Sequence, residues 1–461
     1  MRNRLRLPTL AITGVLLLVA CGGGATPSPS AAGSAPPAAS QPPAASGSAP
    51  SGGTPSGSAS AAGAIPEQGV DDGTKITMWS RAATETRVQS QVDEYNKTHK
   101  NQVELRLVPT DEYVGVVGNA ATANQLPDLF SADVVFMPNW TSQGLFADLT
   151  DKINGLPGID KVGKAHIDAS TWDGKKYGLP FIIDLSVWMY NKDLFKKAGL
   201  DPEKPPTNLK EFADAARAVQ KIAPAGTFGT SFGGNCGGCN VFTWWPIIWA
   251  GGGDVMNADG TASLLNSADA KEIYKTFNAL WKEGVINPES QQEAGPTWTQ
   301  PFPAGKVGIM PMPASLQESE GMPLDNLGVT AIAGVNGGES TFVGGDSIGI
   351  SKDAKNPDAA WNFITWMLGD HNQVEVVAKG GNVVARTDLA DNKYSSADPR
   401  LVLFNTIAGK GKTPLAVNFN AAFNDPQSPW IQLFRAAVFD NADDAKIDQL
   451  NNGITSVLAG N

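Results

Sequence analysis

The chain is poor in the residues that usually carry chemistry. Its 461 residues include three cysteines and three histidines, and charged side chains make up only 18% of the total. His99, His166 and His371 lie far apart in polar contexts with no metal-binding partner three or four residues on, so each reads as a surface histidine and no metal is expected. There is no Gly-x-Ser-x-Gly elbow. Gly233-Gly234 and Gly251-Gly252-Gly253 lack the Lys-Ser/Thr ending of a phosphate loop and read as tight turns. Acidic side chains are plentiful, but an acidic surface supplies them by default, so no glycosidase pair is assigned. Cations are not clustered and the formal net charge is −11, which argues against nucleic acid as a partner. What remains is a binding protein without a cofactor rather than an enzyme.

Only one apolar run stands out, and it lies at the N-terminus. Arg2, Arg4 and Arg6 precede the stretch Leu7–Ala20, which ends in Leu18-Val19-Ala20-Cys21. The run is too short to span a bilayer, and small residues before a cut site mark a cleaved export signal. The ending resembles a bacterial lipobox, in which Cys21 is lipidated and becomes the mature N-terminus; an ordinary signal peptide with Cys21 incidental is the alternative. From Gly22 to Pro66 no residue is charged, and Ala, Ser, Pro and Gly dominate. Such a segment lacks the apolar surface to offset its ordering entropy and is expected to be a disordered spacer, or else a glycosylated stalk. The reading is therefore a chain that works outside the cytoplasm, tethered by lipid to a bacterial cell membrane.

The segment 67–461 exceeds the size of a single core and predicts two lobes. Lys75–Trp79, Val103–Val108 and the stretch from Pro127 to Phe130 read as strands, followed by Tyr177–Pro180 and Ser186–Tyr190. Between them lie helices, including Tyr113–Asn124, Asn208–Ala223 with Thr207 as its cap, Ala268–Glu283, and one entered through Asn356-Pro357. From Pro399 onward the pattern is mostly helical. This alternation means an α/β fold. Cys236 and Cys239 form a Cys-Gly-Gly-Cys spacing that reads as a small disulfide in an exported protein. A redox pair of that spacing should open a helix, and these glycines argue for a loop instead.

Of 12 tryptophans, several fall near strand ends or in loops: Trp79, the cluster Trp244, Trp245 and Trp249, then Trp298 and Trp430. A flat indole with one polar edge suits the CH-rich face of a sugar ring. Residues just past a strand's carboxyl end, here Ser80 and Arg81, sit where open α/β sheets bind ligands.

Five blocks in order carry a family resemblance: the segment 172–180 followed by Asp184 and the run from Met189 to Phe195; Phe242–Pro246 with Gly251–Asp254; Gly305–Met310; Phe342–Gly345; and Ser351-Lys352 leading through Asn356-Pro357 to Trp361. Together they resemble the sugar-binding solute-binding proteins of ABC importers, the family that includes maltodextrin-binding protein. The resemblance implies the two-lobed periplasmic-binding-protein fold, type II, hinged by strand crossovers near Phe181, Pro311 and Gly344. Lobe 1 would take about 67–180 and 345–395, and lobe 2 about 181–344 and 396–461. It implies a monomer that closes over a mono- or oligosaccharide and hands it to a membrane permease. Carried over by position, the ligand side chains would be Trp79, Ser80, Arg81, Ser131, Asp133, Asp184, Trp244, Trp245, Gly345, Asp346, Arg386 and Trp430. After Met310 the chain reads Pro-Met-Pro-Ala-Ser where relatives often carry a stacking tryptophan, which points to a smaller saccharide. The alternatives are the same fold binding a polyamine, phosphate ester or metal complex, and a secreted carbohydrate-active enzyme.

Overall fold

The long strand Leu179–Asn191 organises the molecule. In the computed structural model, which describes residues 64–318 and 321–460, this single element replaces the two strands expected on either side of Phe181. Pro180 and Asp184 break the sequence alternation without breaking the strand, because both halves are covered by neighbours. Cys21 and the spacer up to residue 63 lie outside the described residues. Ile65, assigned by sequence to that spacer, is buried in the core instead.

The main sheet contains β1 (Lys75–Arg81), β2 (Gln102–Val108), β3 (Leu129–Asp133), β4 (Leu179–Asn191), β5 (Ile309–Pro313), β6 (Leu327–Thr330) and β7 (Val343–Ile350). Its order is β2-β1-β3-β7-β4-β5, with β6 also on β4. β1 runs parallel to β2 and β3, placing Trp79 beside Phe130. β7 is antiparallel to β3, with Asp346 opposite Asp133, and antiparallel to the first half of β4, with Gly344 opposite Asp184. The second half of β4 pairs with β5 and β6, Ser186 facing Pro313 and Trp188 facing Thr330. One strand thus carries hydrogen bonds to two different sets of neighbours, the change falling between Leu185 and Ser186.

Each half of β4 has its own apolar cover. Helix α1 (Glu85–Thr98) turns Val88, Val92 and Tyr95 onto Ile76 and Met78, joined by Trp361 and Phe363 from the helix Pro357–Met367. On the other side, Leu209–Ile222, Gly237–Ala250, Ala268–Lys282 and Pro429–Val438 bring Phe212, Trp244, Phe277 and Phe434 together around Trp188. Burying a side chain of this size contributes roughly 1.5–3 kcal/mol. The cap of Leu209–Ile222 is Asn208, whose side chain accepts from the Glu211 amide at 2.9 Å, one residue later than expected. Thr207, one residue before the cap, instead donates its amide and its hydroxyl to the Glu211 carboxylate at 2.8 and 2.9 Å. Among the described residues no helix is long and apolar enough to cross a membrane.

Candidate functional site

Three neighbouring strands deliver charge to one place. β1 ends in Arg81, β3 ends in Asp133, and the antiparallel β7 sets Asp346 directly opposite Asp133. The Arg81 guanidinium forks between them: one terminal nitrogen lies 3.0 Å from Asp133, Nε donates to Asp346 at 3.2 Å, and the other terminal nitrogen also bonds Asp346. Asp346 is 0% exposed at its side chain, Arg81 13% and Asp133 28%. Ser131 donates to Asp346 at 3.0 Å and shares a bond with Ser80 at 2.8 Å; Ser80 in turn meets Thr84 at 3.0 Å. Tyr113 donates its hydroxyl to the Ser131 carbonyl.

The electrostatics follow from this packing. Burial works against the Arg81 charge, but Asp346 and Asp133 more than offset it, so its pKa is raised above the ordinary arginine value. Asp133 moves upward, chiefly through burial and with Asp346 adding to it, while Arg81 opposes the shift. Two carboxylates face one guanidinium at the strand ends, and the more exposed Asp133 carries the accessible oxygens. Such a cluster can accept hydrogen bonds from hydroxyls, and its cation is already neutralised.

Asp184 occupies a second position, on β4 opposite Gly344. Its carboxylate accepts from the Ser315 hydroxyl at 2.7 Å and the Ser315 amide at 3.2 Å, with Arg87 at 3.9 Å. Ser315 follows β5, so this contact ties the first half of the long strand to the loop beyond the other half's neighbour. Ser315 and Arg87 were not among the sequence candidates. The Pro-Met-Pro-Ala-Ser stretch drew attention only for an aromatic it lacks, and Arg87 reads as one of many exposed helix cations. Phe242 was also missed as a site residue; half-buried, it leans on Gly344, where an added Cβ would come within 2.8 Å of its ring. Gly345 has φ +97°, and any Cβ there would meet the Ile182 carbonyl, so it shapes the strand rather than offering a side chain.

Several expected contacts are elsewhere. Trp244 and Trp245 are in the middle of the helix Gly237–Ala250, not at a strand end, and this helix is buried on nearly every side. Trp245, 0% exposed, packs edge-on against Trp249, Phe419, Phe423 and Trp430. Trp244 packs on Phe277 at 3.9 Å between ring centroids. Trp430 is buried beside them and donates its indole N–H to the Gly237 carbonyl at 3.1 Å. No face of these three rings is open for stacking; they form the core. Arg386 is likewise buried, bonded to Asp388 at 2.6 and 2.8 Å and to Asp370 at 3.2 Å, so it fastens its own loop. Trp79 is half-buried, with Arg106 over its ring at 4.7 Å. His166 is not a surface residue: it is buried under β7, donating from Nε2 to the Gly344 carbonyl at 3.0 Å while Nδ1 accepts from Ser347 at 3.3 Å. Burial lowers its pKa from 6.5 to about 4. Cys236 and Cys239 are joined by a disulfide. Among the described residues no group of histidine, cysteine or carboxylate side chains is arranged to hold a metal ion.

Comparison with known proteins gives this geometry a context. Residues 82–374 match the model of the bacterial extracellular solute-binding protein family. The diacetylchitobiose binding protein DasA of Streptomyces coelicolor is 27% identical over 312 residues, covering 65% of this chain and 70% of the relative. The maltodextrin-binding protein MdxE of Bacillus subtilis is 26% identical over 312 residues, covering 64% and 68%. Among solved structures, an ABC transporter solute-binding protein from Thermotoga lettingae TMO, bound with α-D-tagatose, superposes with a TM-score of 0.72 at 18% identity, covering 84% of this chain and 100% of the other. The two-lobed periplasmic-binding-protein architecture expected from the sequence is thus the fold. With the family model covering well over half of the chain, the protein belongs to the bacterial extracellular solute-binding proteins.

Proposed function

We propose that this protein is the capture component of an ABC importer, binding a carbohydrate between two lobes and delivering it to a membrane permease. The observation that carries the reading is the meeting of β1, β3 and β7 at one carboxylate-rich cluster in a chain of this family. The carbohydrate class draws support from the relatives and structural neighbours, whose names specify diacetylchitobiose, maltodextrin and tagatose. The lobes would divide where β4 changes partners, near Leu185, and close when ligand touches both; a ligand shifts this equilibrium only through contacts made in one state.

In this reading Asp133, Asp184 and Ser315 supply hydroxyl partners, and Trp79 and Phe242 supply apolar faces. Ser80, Arg81, Ser131 and Asp346 hold the carboxylates in place. Stacking adds about 1 kcal/mol per ring beyond area burial. With two carboxyl groups to one guanidinium at the strand ends, neutral saccharides are favoured over uronates. Cys21 and the spacer after it would keep the capture domain beside its permease, as a lipoprotein outside the cytoplasm, and no catalytic step is assigned. Isothermal titration of the purified protein against mono- and oligosaccharides tests this. Heat on binding a neutral saccharide, lost in Asp133→Ala, is expected. Silence with every sugar, together with binding of a polyamine or phosphate ester, would overturn the carbohydrate assignment.

A further inference from the structure

The Cys-Gly-Gly-Cys segment opens a helix after all. Cys236 is the N-cap of Gly237–Ala250, a helix of 14 residues, and its Sγ accepts the Cys239 amide at 3.2 Å. Both cysteines are half-buried, not sealed in the core. Their environments differ. Cys239 lies in the first turn and leans on the apolar cluster of Leu185, Val187 and Val343. Backbone lies against both sulfurs: an added Cβ at Gly295 would lie 3.3 Å from Cys236 Sγ and 3.7 Å from Cys239 Sγ, and one at Gly233 would lie 3.1 Å from Cys236 Cβ and 3.5 Å from Cys239 Sγ, so no side chain from either position covers the pair. Gly295 has φ +128°, a conformation that holds a glycine there.

We propose that Cys236–Cys239 is a redox-active pair that exchanges with external dithiols, with Cys236 as the attacked and nucleophilic sulfur. The reasons are physical. A thiolate at a helix N-terminus is stabilised by the free amides and by the helix dipole, and an N-cap acceptor is already in place at Cys236. A disulfide whose reduced form is stabilised in this way is easier to reduce than a purely structural one. In the exchange, a thiolate of the external dithiol attacks Cys236 Sγ. The Cys236–Cys239 bond breaks, and Cys239 leaves with the electron pair and takes up a proton. The second sulfur of the dithiol, or a second thiolate where the reductant is a monothiol such as glutathione, then attacks the external sulfur of the mixed disulfide and expels Cys236, so the external thiols are oxidised by two electrons and the protein reduced by two. The consequence is local, because Asn240 to the Gly233 carbonyl (2.8 Å), Thr243 to the Cys239 carbonyl (2.7 Å) and Trp430 to the Gly237 carbonyl still hold the turn. The activity is independent of which solute the cleft takes.

The test uses the folded, full chain. It is equilibrated in buffers of reduced and oxidised glutathione, quenched in acid, alkylated and weighed by mass spectrometry. The pair is expected to reduce at millimolar reduced glutathione while circular dichroism stays native. In parallel, alkylation rates are compared in Cys239→Ser and Cys236→Ser near neutral pH, with Cys236 expected to react at least tenfold faster than Cys239. A pair that stays oxidised until the protein is unfolded by denaturant would overturn the proposal, as would equal or reversed alkylation rates.

Discussion

Replacing Asp346 by alanine should be far more damaging than replacing Asp133, although both carboxylates hold the same guanidinium. Asp346 is fully buried and makes the two-pronged contact with Arg81, and it also accepts from Ser131 at 3.0 Å. Removing it leaves a cation that is 13% exposed with one partner fewer and takes one acceptor from the Ser131 hydroxyl, which keeps only Ser80. Breaking a buried pair by deleting one partner costs about 3–5 kcal/mol, and the remaining Asp133 keeps the expected loss near the lower end, about 3 kcal/mol. Asp133 is 28% exposed, so water and salt already screen its bond, and Asp133→Ala should cost about 1 kcal/mol. Urea unfolding with linear extrapolation measures both. The double variant Arg81→Met/Asp346→Leu removes the charge together with its counter-charge and should be milder than Asp346→Ala alone. If Asp346→Ala and Asp133→Ala agree within about 0.5 kcal/mol, or the double variant is the worst of the three, the electrostatic account of the strand ends is wrong.

Other expectations follow from the same structure. His166 has a folded pKa of about 4 against 6.5 unfolded, so the unfolded chain binds the proton first; stability should be unaffected above pH 6.5 and fall by about 3 kcal/mol as pH drops toward 4. His166→Gln should flatten that part of a urea-midpoint profile against pH, and an unchanged slope would remove His166 as its source. Trp245→Ala should cost about 3–5 kcal/mol through the cavity it leaves, with saccharide affinity of the folded fraction unaltered; a selective loss of binding at wild-type stability would restore Trp245 to the site. Gly345→Ala combines a positive φ with a collision at the Ile182 carbonyl, and its soluble yield should collapse, whereas Gly252→Ala, with φ +86° and open space around it, should lose only about 1 kcal/mol. Ser315→Ala should weaken ligand binding by a few-fold with about 1 kcal/mol or less of destabilisation, since Asp184 keeps the Ser315 and Leu185 amides; calorimetry beside a urea melt separates the two effects.

Much of this was readable from residue order. Alternating apolar residues located β1 and β2, helical patterning located the helices Tyr113–Ala123 and Ala268–Lys282, and five ordered blocks identified the family and its fold. Strand-end logic singled out Ser80 and Arg81, which prove to be the last two residues of β1 and meet Ser131 and Asp133 at the end of β3. These properties are local, or belong to a pattern repeated along the chain.

Partnership is different. Nothing near Asp346 in sequence says that Arg81, 265 positions earlier, will hold it, or that Ser315 will bind Asp184 across 131 positions. Trp244, Trp245 and Trp430 were placed at the ligand by residue type and by position in the family resemblance. Their burial was decided by the helix they belong to and by the aromatic rings of Phe277, Phe419, Phe423 and Phe434 brought in from far along the chain. His166 became a buried hydrogen-bond donor only when β7 crossed above it. Cys236 became a helix cap only once Gly237–Ala250 folded as a helix. Sequence by itself determined which segments are amphipathic and which fold they assemble, because those follow from local conformational preference and periodic apolar pattern. Only tertiary structure decided which polar groups are paired and which aromatic faces are free, because desolvation and pairing depend on neighbours that the chain brings together only on folding.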